Sequence, residues 1–252
     1  MARQCSTPRT PTCTSYATSP LRLIRAVQRE LTDLPLAVLR NMPGASGRAL
    51  RVQYWRARLG ALGARATIGK NVEIVNPQWV FLGDDCWVDD DVTLIAGPPS
   101  ASRSMVDVGD QEVVSGCLEV GSRVHLARQV IVQAHGGVRI GDDTGIASGA
   151  KIFSLSHHHR NLADSTDETA FLFSVRCPAE QQMMMIGNVI LEHSAAVAMN
   201  AVILPGARLR SFSWLGPNSV LARGAHPRGA MLQGIPATVR RMRPGFAAAA
   251  DG

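Results

Sequence analysis

From Ile68 onward, single aliphatic residues recur every six positions, a period that neither an amphipathic helix nor an alternating strand produces. The blocks run Ile68 and Ile74; Leu82, Val88 and Leu94; Val120, Leu126 and Val132; Ile140, Ile146 and Ile152; and, after a break, Leu191, Val197, Ile203, Leu209, Leu215 and Leu221. Such a period marks a short structural unit that is repeated. Leu82-Gly83-Asp84, Val120-Gly121-Ser122 and Ile140-Gly141-Asp142 each open a segment with further aliphatics six and twelve residues on. Glycine and aspartate tolerate positive φ and suit a tight corner, so the simplest reading is strand, corner, strand, corner. Three hexapeptides then make a triangular coil of parallel strands, each recurring aliphatic pointing inwards onto its equivalents in the next coil. Burial of each contributes about 1.5 to 3 kcal/mol, but only where neighbouring coils cover it. The predicted class is an all-β solenoid, a parallel β-helix, preceded by a helical segment.

Composition agrees with that architecture. Only 5% of the 252 residues are aromatic, so a core must be built from small and branched side chains, and 46% hydrophobic with 18% charged residues excludes disorder of the whole. The five cysteines form an odd set without a CxxC pair, which argues against a disulfide framework or a zinc ribbon. No apolar run is long enough to span a bilayer, and Arg22 and Arg25 interrupt the one early stretch that could act as a signal peptide. A cytoplasmic protein is expected.

Charge is unevenly placed. Residues 1–66 hold eleven Arg against Glu30 and Asp33, a balance of +9 in a chain whose net charge is +6. The segment is therefore a candidate for meeting something anionic, such as lipid headgroups at the inner face of the membrane, a glycan carrier or an acidic partner face. Residues 1–19, rich in Ser, Thr and Pro, are expected to be disordered. Residues 20–66 read as Arg-rich helices, one from Pro20 until Pro35 and one over Ala49 to Leu62, with Trp55 packing. The repeat is assigned to 67–233 and a tail to 234–252.

Two stretches break the repeat. Gly97 to Ser115 reads as a surface excursion without a functional reading. The second, residues 157–185, is polar at its start and apolar at Met183-Met184-Met185, and a loop of that length in a compact fold is commonly functional. At its mouth stands Ile152-Phe153-Ser154-Leu155-Ser156-His157-His158-His159-Arg160. Carrying the six-residue register on from Ile152 places His158 inwards as a structural residue and His157 outwards as the reactive one.

These features resemble the hexapeptide-repeat acyltransferases, which fold as left-handed parallel β-helices. The similarity covers about Ile68 to Arg241 and is most specific in Asn200-Ala201-Val202-Ile203-Leu204-Pro205-Gly206 and in Gly234-Ile235-Pro236-Ala237, where Ile235 replaces the family's Asn. The resemblance, which includes sugar O-acetyltransferases, implies a homotrimer with acetyl-CoA in the groove between adjacent β-helices and no metal. The acceptor it implies is a sugar or glycan hydroxyl, in polysaccharide biosynthesis for instance; nucleic acid is not an expected partner. Ile152 to His157 resembles the segment that ends in the family's catalytic histidine, which makes His157 the general base. A neutral imidazole suits the removal of an alcohol's proton as it attacks a thioester. Glu180, Asp164 or a backbone carbonyl are candidates to orient it. Ala198 and Gly216 resemble the small groove residues beside the pantetheine arm, while Arg223, Arg240 and Arg241 stand where the family places cations. Two departures are visible: Ala196 takes the place of a frequent aromatic, and no Asn stands between Ala127 and Gln129, where Gln129 or His135 would have to substitute.

Two other readings compete. One is a zinc enzyme resembling γ-class carbonic anhydrase, with His125, His135 and His157 as ligands, although their spacing does not resemble that family's. The other is a non-catalytic β-helix scaffold.

Overall fold

A computed structural model describes residues 34–99, 104–164 and 166–246. The chain divides into two units after Val38; of the first, residues 34–38 are described and are helical. The predicted disordered segment 1–19 and most of the helix from Pro20 lie outside the described residues. All the β-strands of the described residues lie in the second unit, residues 39–252.

Its first complete element is a helix over Gly44–Arg56 that buries Gly47, Arg51 and Trp55. Arg51 fixes the helix to the repeat, because its guanidinium donates to the carbonyls of Met42 at 2.7 Å and of Ile68 at 3.1 Å. Carbonyl oxygens around a buried charge reduce the cost of taking it out of water. The helix begins earlier and ends earlier than the sequence predicts. Ala61 and Leu62 are already a strand, paired with Phe81 and Leu82. Leu62 stands six residues before Ile68, so the coil starts one hexapeptide sooner than expected.

From there the chain visits three sheets in rotation. Ala61–Leu62, Thr67–Ile68 and Glu73–Val75 open the first, second and third sheets, and Val80–Leu82, Trp87–Val88 and Thr93–Ile95 pair with them in parallel one step on. The rotation continues to Arg208–Leu209, Trp214–Leu215 and Val220–Leu221. The predicted inward ladders are the observed core: Leu94, Leu126, Ile140, Ile146, Ile152, Leu191, Ile203, Leu209 and Leu215 are all within 1% of complete burial. Ala230–Gly234 adds a parallel strand to the second sheet, and Ala237–Met242 folds back antiparallel across the turn at Ile235-Pro236.

The corner glycines act differently from the expectation. Positive φ is found at Asp85, Arg123 and Asp143, three places after the aliphatic, and not at Gly83, Gly121 or Gly141. Those glycines are required by stacking: a Cβ on Gly83 would lie 2.7 Å from the backbone of Gly121, and one on Gly141 2.6 Å from the amide nitrogen of His193. The polar corner residues bind one another between coils, as Arg65 does with Asp85 and Arg123 with Asp143.

The two interruptions of the repeat join. Ser104–Asp107, from the first, pairs in parallel with Met183–Ile186, from the second, and that strand pairs antiparallel with Leu155–His158. The result is a three-stranded side sheet built wholly from residues outside the period. Buried Asn188 ties it to the coil, its side chain accepting from Val113 N–H at 2.8 Å and donating to the carbonyls of Val113 and Gly136. Arg208 adds charged links from the coil to Asp110 and Glu112 of the first excursion and to Glu192.

Candidate functional site

The coil ends its third-sheet strand Lys151–Phe153 at a buried Ser154. Its hydroxyl donates to the Gln133 carbonyl at 2.7 Å and accepts from Gly136 N–H at 2.8 Å, while its carbonyl receives the Gly187 N–H at 3.0 Å. Ser154 and Gly187 thus clasp the base of the second excursion. The inward register stops at Ile152, and the next strand belongs to the side sheet. His158 is therefore not the next inward residue of the coil: it is half-buried, opposite Met183, with Nδ1 3.0 Å from the Arg160 carbonyl oxygen. The alternation that distinguishes His157 from His158 is set by the side sheet.

His157 is half-buried opposite Met184, with the Phe173 ring edge-on at 6.5 Å. The side-chain group at its Nε2 is Gln182, whose Oε1 lies 3.4 Å away. Asp164, a candidate for that role in the sequence, instead accepts from the Thr166 amide and hydroxyl, which hold its carboxyl below the usual range. Gln182 itself is buried and donates to the Cys177 carbonyl at 2.5 Å. Composition carries no signal for it, because its importance comes from burial.

Ala198 and Gly216 occupy another corner, between the second and third sheets. Ala198 N–H donates to Leu215 O and Gly216 N–H to Leu232 O, so the two are stacked one coil apart. Beside them the outer face of the second sheet carries a continuous row in register: Trp87, His125, Gly145, Ala196, Trp214, Met231 and Arg241. The missing side chain at Gly145 and the small one at Ala196 leave a groove of about 530 Å³ between His125 and Trp214, bordered by Ala127, Ala147 and Ala198. Gly145 does not have positive φ, and a Cβ there would meet nothing within 4 Å. Its own chain does not demand glycine, and a glycine inside a strand commonly marks the close approach of a ligand or another backbone. His125 closes one end, its ring tilted against that of Trp87 at 5.3 Å between centroids and bound through Nε2 to Asp89 at 3.0 Å. Trp214 closes the other end, and beyond it on the same row Arg241 lies against the Met231 sulfur at 3.1 Å.

The structure therefore brings Ala198, Gly216 and Arg241 to one side, with Arg240 exposed on the same terminal strand. His157 and Arg223 are not part of that group, since both follow third-sheet strands. Arg223 lines a cleft with Arg208, Arg210 and His226 and another with Pro236 to Val239. His125, His135 and His157 stand on separate elements of the chain, His135 binding the Gly97 carbonyl, and among the described residues no cluster of three or more His, Cys, Asp or Glu could hold a metal ion. Burial pushes the Cys86 and Cys117 thiols up, away from the thiolate form a nucleophile needs. No helix among the described residues is long and apolar enough to cross a membrane.

No family model matches the chain, and no curated protein matches it. Solved structures do. AntD of Bacillus cereus, an N-acyltransferase in complex with dTDP and 3-hydroxybutyryl-CoA, aligns over 77% of this chain and 88% of its own with a TM-score of 0.59 at 17% identity. A serine-to-alanine variant of AntD, with dTDP-4-amino-4,6-dideoxyglucose and coenzyme A, covers 77% and 89% with a TM-score of 0.59 at 18% identity. An aspartate-to-alanine variant, with dTDP and coenzyme A, covers 76% and 88% with a TM-score of 0.60 at 18% identity. At these identities the likeness establishes a shared fold: the three-sheet rotation described above is the architecture this chain has in common with AntD.

Proposed function

We propose that this chain is a CoA-dependent acyltransferase that moves an acetyl group from acetyl-CoA to a hydroxyl of a sugar or glycan precursor, with His157 as the general base. The observation that carries the reading is the groove on the second sheet. Its floor at Gly145 and Ala196 accepts a thin apolar chain, and Arg241 lies four strands from Gly145, roughly 19 Å at ordinary strand spacing. A pantetheine arm ending in phosphates has that shape and charge. Ala198 and Gly216 line its path, and Arg240 and Arg241 meet the phosphates. Arg223, at another corner, serves the phosphates only of a donor held against that corner. AntD, which shares the fold, is described with coenzyme A and 3-hydroxybutyryl-CoA.

His157 and the groove lie on different corners of one chain, so the site is complete only when a second copy supplies the histidine. We take the assembly to be a homotrimer and the coil to be left-handed, as the sequence resemblance implies. In the reaction the imidazole takes the acceptor's proton as its oxygen attacks the thioester carbonyl. The tetrahedral intermediate then expels the CoA thiolate, which receives that proton. An N–H donor at the developing oxyanion lowers the barrier. No covalent enzyme intermediate is needed.

A second reading is favoured by the fold match: AntD is an N-acyltransferase described with an amino sugar nucleotide, so an amine acceptor would use the same machinery. One experiment tests both. Thiol release from acetyl-CoA is followed with a panel of sugars, nucleotide sugars and their amino counterparts, for the wild type and His157→Ala. Removal of a general base lowers turnover about 10²- to 10⁴-fold. Unchanged transfer in His157→Ala sinks the base assignment, and the acceptor that turns over decides between oxygen and nitrogen.

A further inference from the structure

We propose that Gln182 is a positioning residue that fixes the tautomer of His157, holding the proton on Nε2 and leaving Nδ1 as the basic atom. The inference rests on the reading of His157 as the base. Gln182 is 1% exposed, at the point where the second excursion turns back into the side sheet. A buried amide needs partners at both ends. One end lies 2.5 Å from the Cys177 carbonyl oxygen, which can only accept, so that end is the amide nitrogen. The other end is then the oxygen Oε1, 3.4 Å from His157 Nε2. An amide oxygen also only accepts, so the ring must donate from Nε2, and its lone pair resides on Nδ1.

The loop holds this arrangement in place. Leu172 N–H donates to the Gln181 carbonyl at 2.8 Å, and Phe171 N–H to the His159 carbonyl at 3.2 Å, which closes the excursion over the pair. Met183 and Met184 are buried beside it, and Ser104–Asp107 supports them from the far edge of the side sheet. This gives the first excursion a role: it backs the strand that follows Gln182. At 3.4 Å the bond is long, as such bonds often are before substrate binds.

The test uses the full chain labelled with ¹⁵N-histidine, at a pH above about 8, where an ordinary imidazole is neutral. His157→Ala identifies the His157 signals in a two-bond ¹H–¹⁵N correlation spectrum. In the wild type His157 is expected to be protonated at Nε2. Gln182→Met, of similar length without an acceptor, is expected to give a tautomer mixture and to lower kcat about 10- to 100-fold with KM nearly unchanged, in the range of losses when a group that orients a ligand or base is removed. Gln182→Glu, which keeps an acceptor for the ring but loses the donor to the Cys177 carbonyl, is expected to restore the Nε2–H form and to recover kcat in part, with a lowered unfolding midpoint. A wild-type ring protonated at Nδ1 overturns the proposal, and so does a loss of rate in both variants with the tautomer unchanged, which makes Gln182 a packing residue. If His157→Ala retains full activity while the tautomer follows Gln182, the base assignment falls and the positioning contact stands.

Discussion

Ile152 and His157 are close in the chain but stand in two kinds of structure. Ile152 is fully buried in a ladder with Val132 and Ile203, repeated on both sides by the same chemistry. His157 stands in a sheet whose strands come from three separated segments and whose anchors are the hydrogen bonds of a few polar side chains, Ser154, Gln182 and Asn188. The coil gains stability by summing many similar apolar burials, so no one contact defines it. The side sheet gains its geometry from a few hydrogen bonds, each of which has no substitute nearby. Rigidity is supplied by the first region and, under the proposed function, the general base by the second.

The largest expected effect on stability lies in the coil. Ile152→Ala leaves a cavity between two ladder neighbours and should cost about 2 to 5 kcal/mol, measured by denaturant unfolding, while the folded fraction keeps its kcat. The comparison breaks if Ile152→Ala lowers kcat with an unchanged unfolding midpoint, since the coil would then be acting on the chemistry directly.

A smaller effect is expected at the joint between the two regions. Asn188→Leu leaves the Val113 N–H and the carbonyls of Val113 and Gly136 without their partner. Leaving buried polar groups unsatisfied should cost about 1 to 3 kcal/mol, and the loss should be local. Hydrogen exchange at Val113 and along Ser104–Asp107 should accelerate while the amides of the coil core stay protected. Uniform acceleration throughout the chain would mean that the side sheet and the coil unfold as one unit.

The same contrast decides what can be read from the sequence. Every coil repeats one register, so a single inward aliphatic in each hexapeptide identifies the three sheets, and carrying the period back from Ile68 reaches Leu62. The outer row Trp87, His125, Gly145, Ala196 and Trp214 is equally regular, each residue standing just before an inward aliphatic, so the groove is within reach of the same count. The side sheet is not. The pairing of Ser104–Asp107 with Met183–Ile186 has no period and joins segments far apart in the chain. The register carried past Ile152 fails because Ser154 uses its hydroxyl and carbonyl to turn the chain out of the coil. Gln182 is absent from the sequence candidates, Glu180, Asp164 or a backbone carbonyl, since a charged acceptor is the more visible residue type while the observed contact depends on which side chain is buried beside the ring.

The smallest effect concerns acid. Burial alone would raise the Glu192 carboxyl, but the amide and hydroxyl of Ser211 and the guanidinium of Arg208 outweigh it and hold the group below its ordinary value. A carboxyl depressed in the folded state contributes stability above its unfolded value and loses that contribution as pH falls through its folded value. Glu192 belongs to the coil, and Arg208 bridges it to Asp110 and Glu112 of the first excursion, so this titration loosens the joint. Asp85 and Asp143, held low by hydrogen bonds from Arg65 and Arg123, also lose their contribution as pH falls, which hides that of Glu192 in the wild type alone. Glu192→Gln separates them, because the other carboxyls are common to both proteins and cancel in the difference. Melting temperatures taken from about pH 7 to about pH 3 should show the wild type above Glu192→Gln at neutral pH and the gap closing on the acid side. A gap that stays constant across that window would show that the Glu192 charge contributes nothing and that its contacts act through shape and neutral hydrogen bonds.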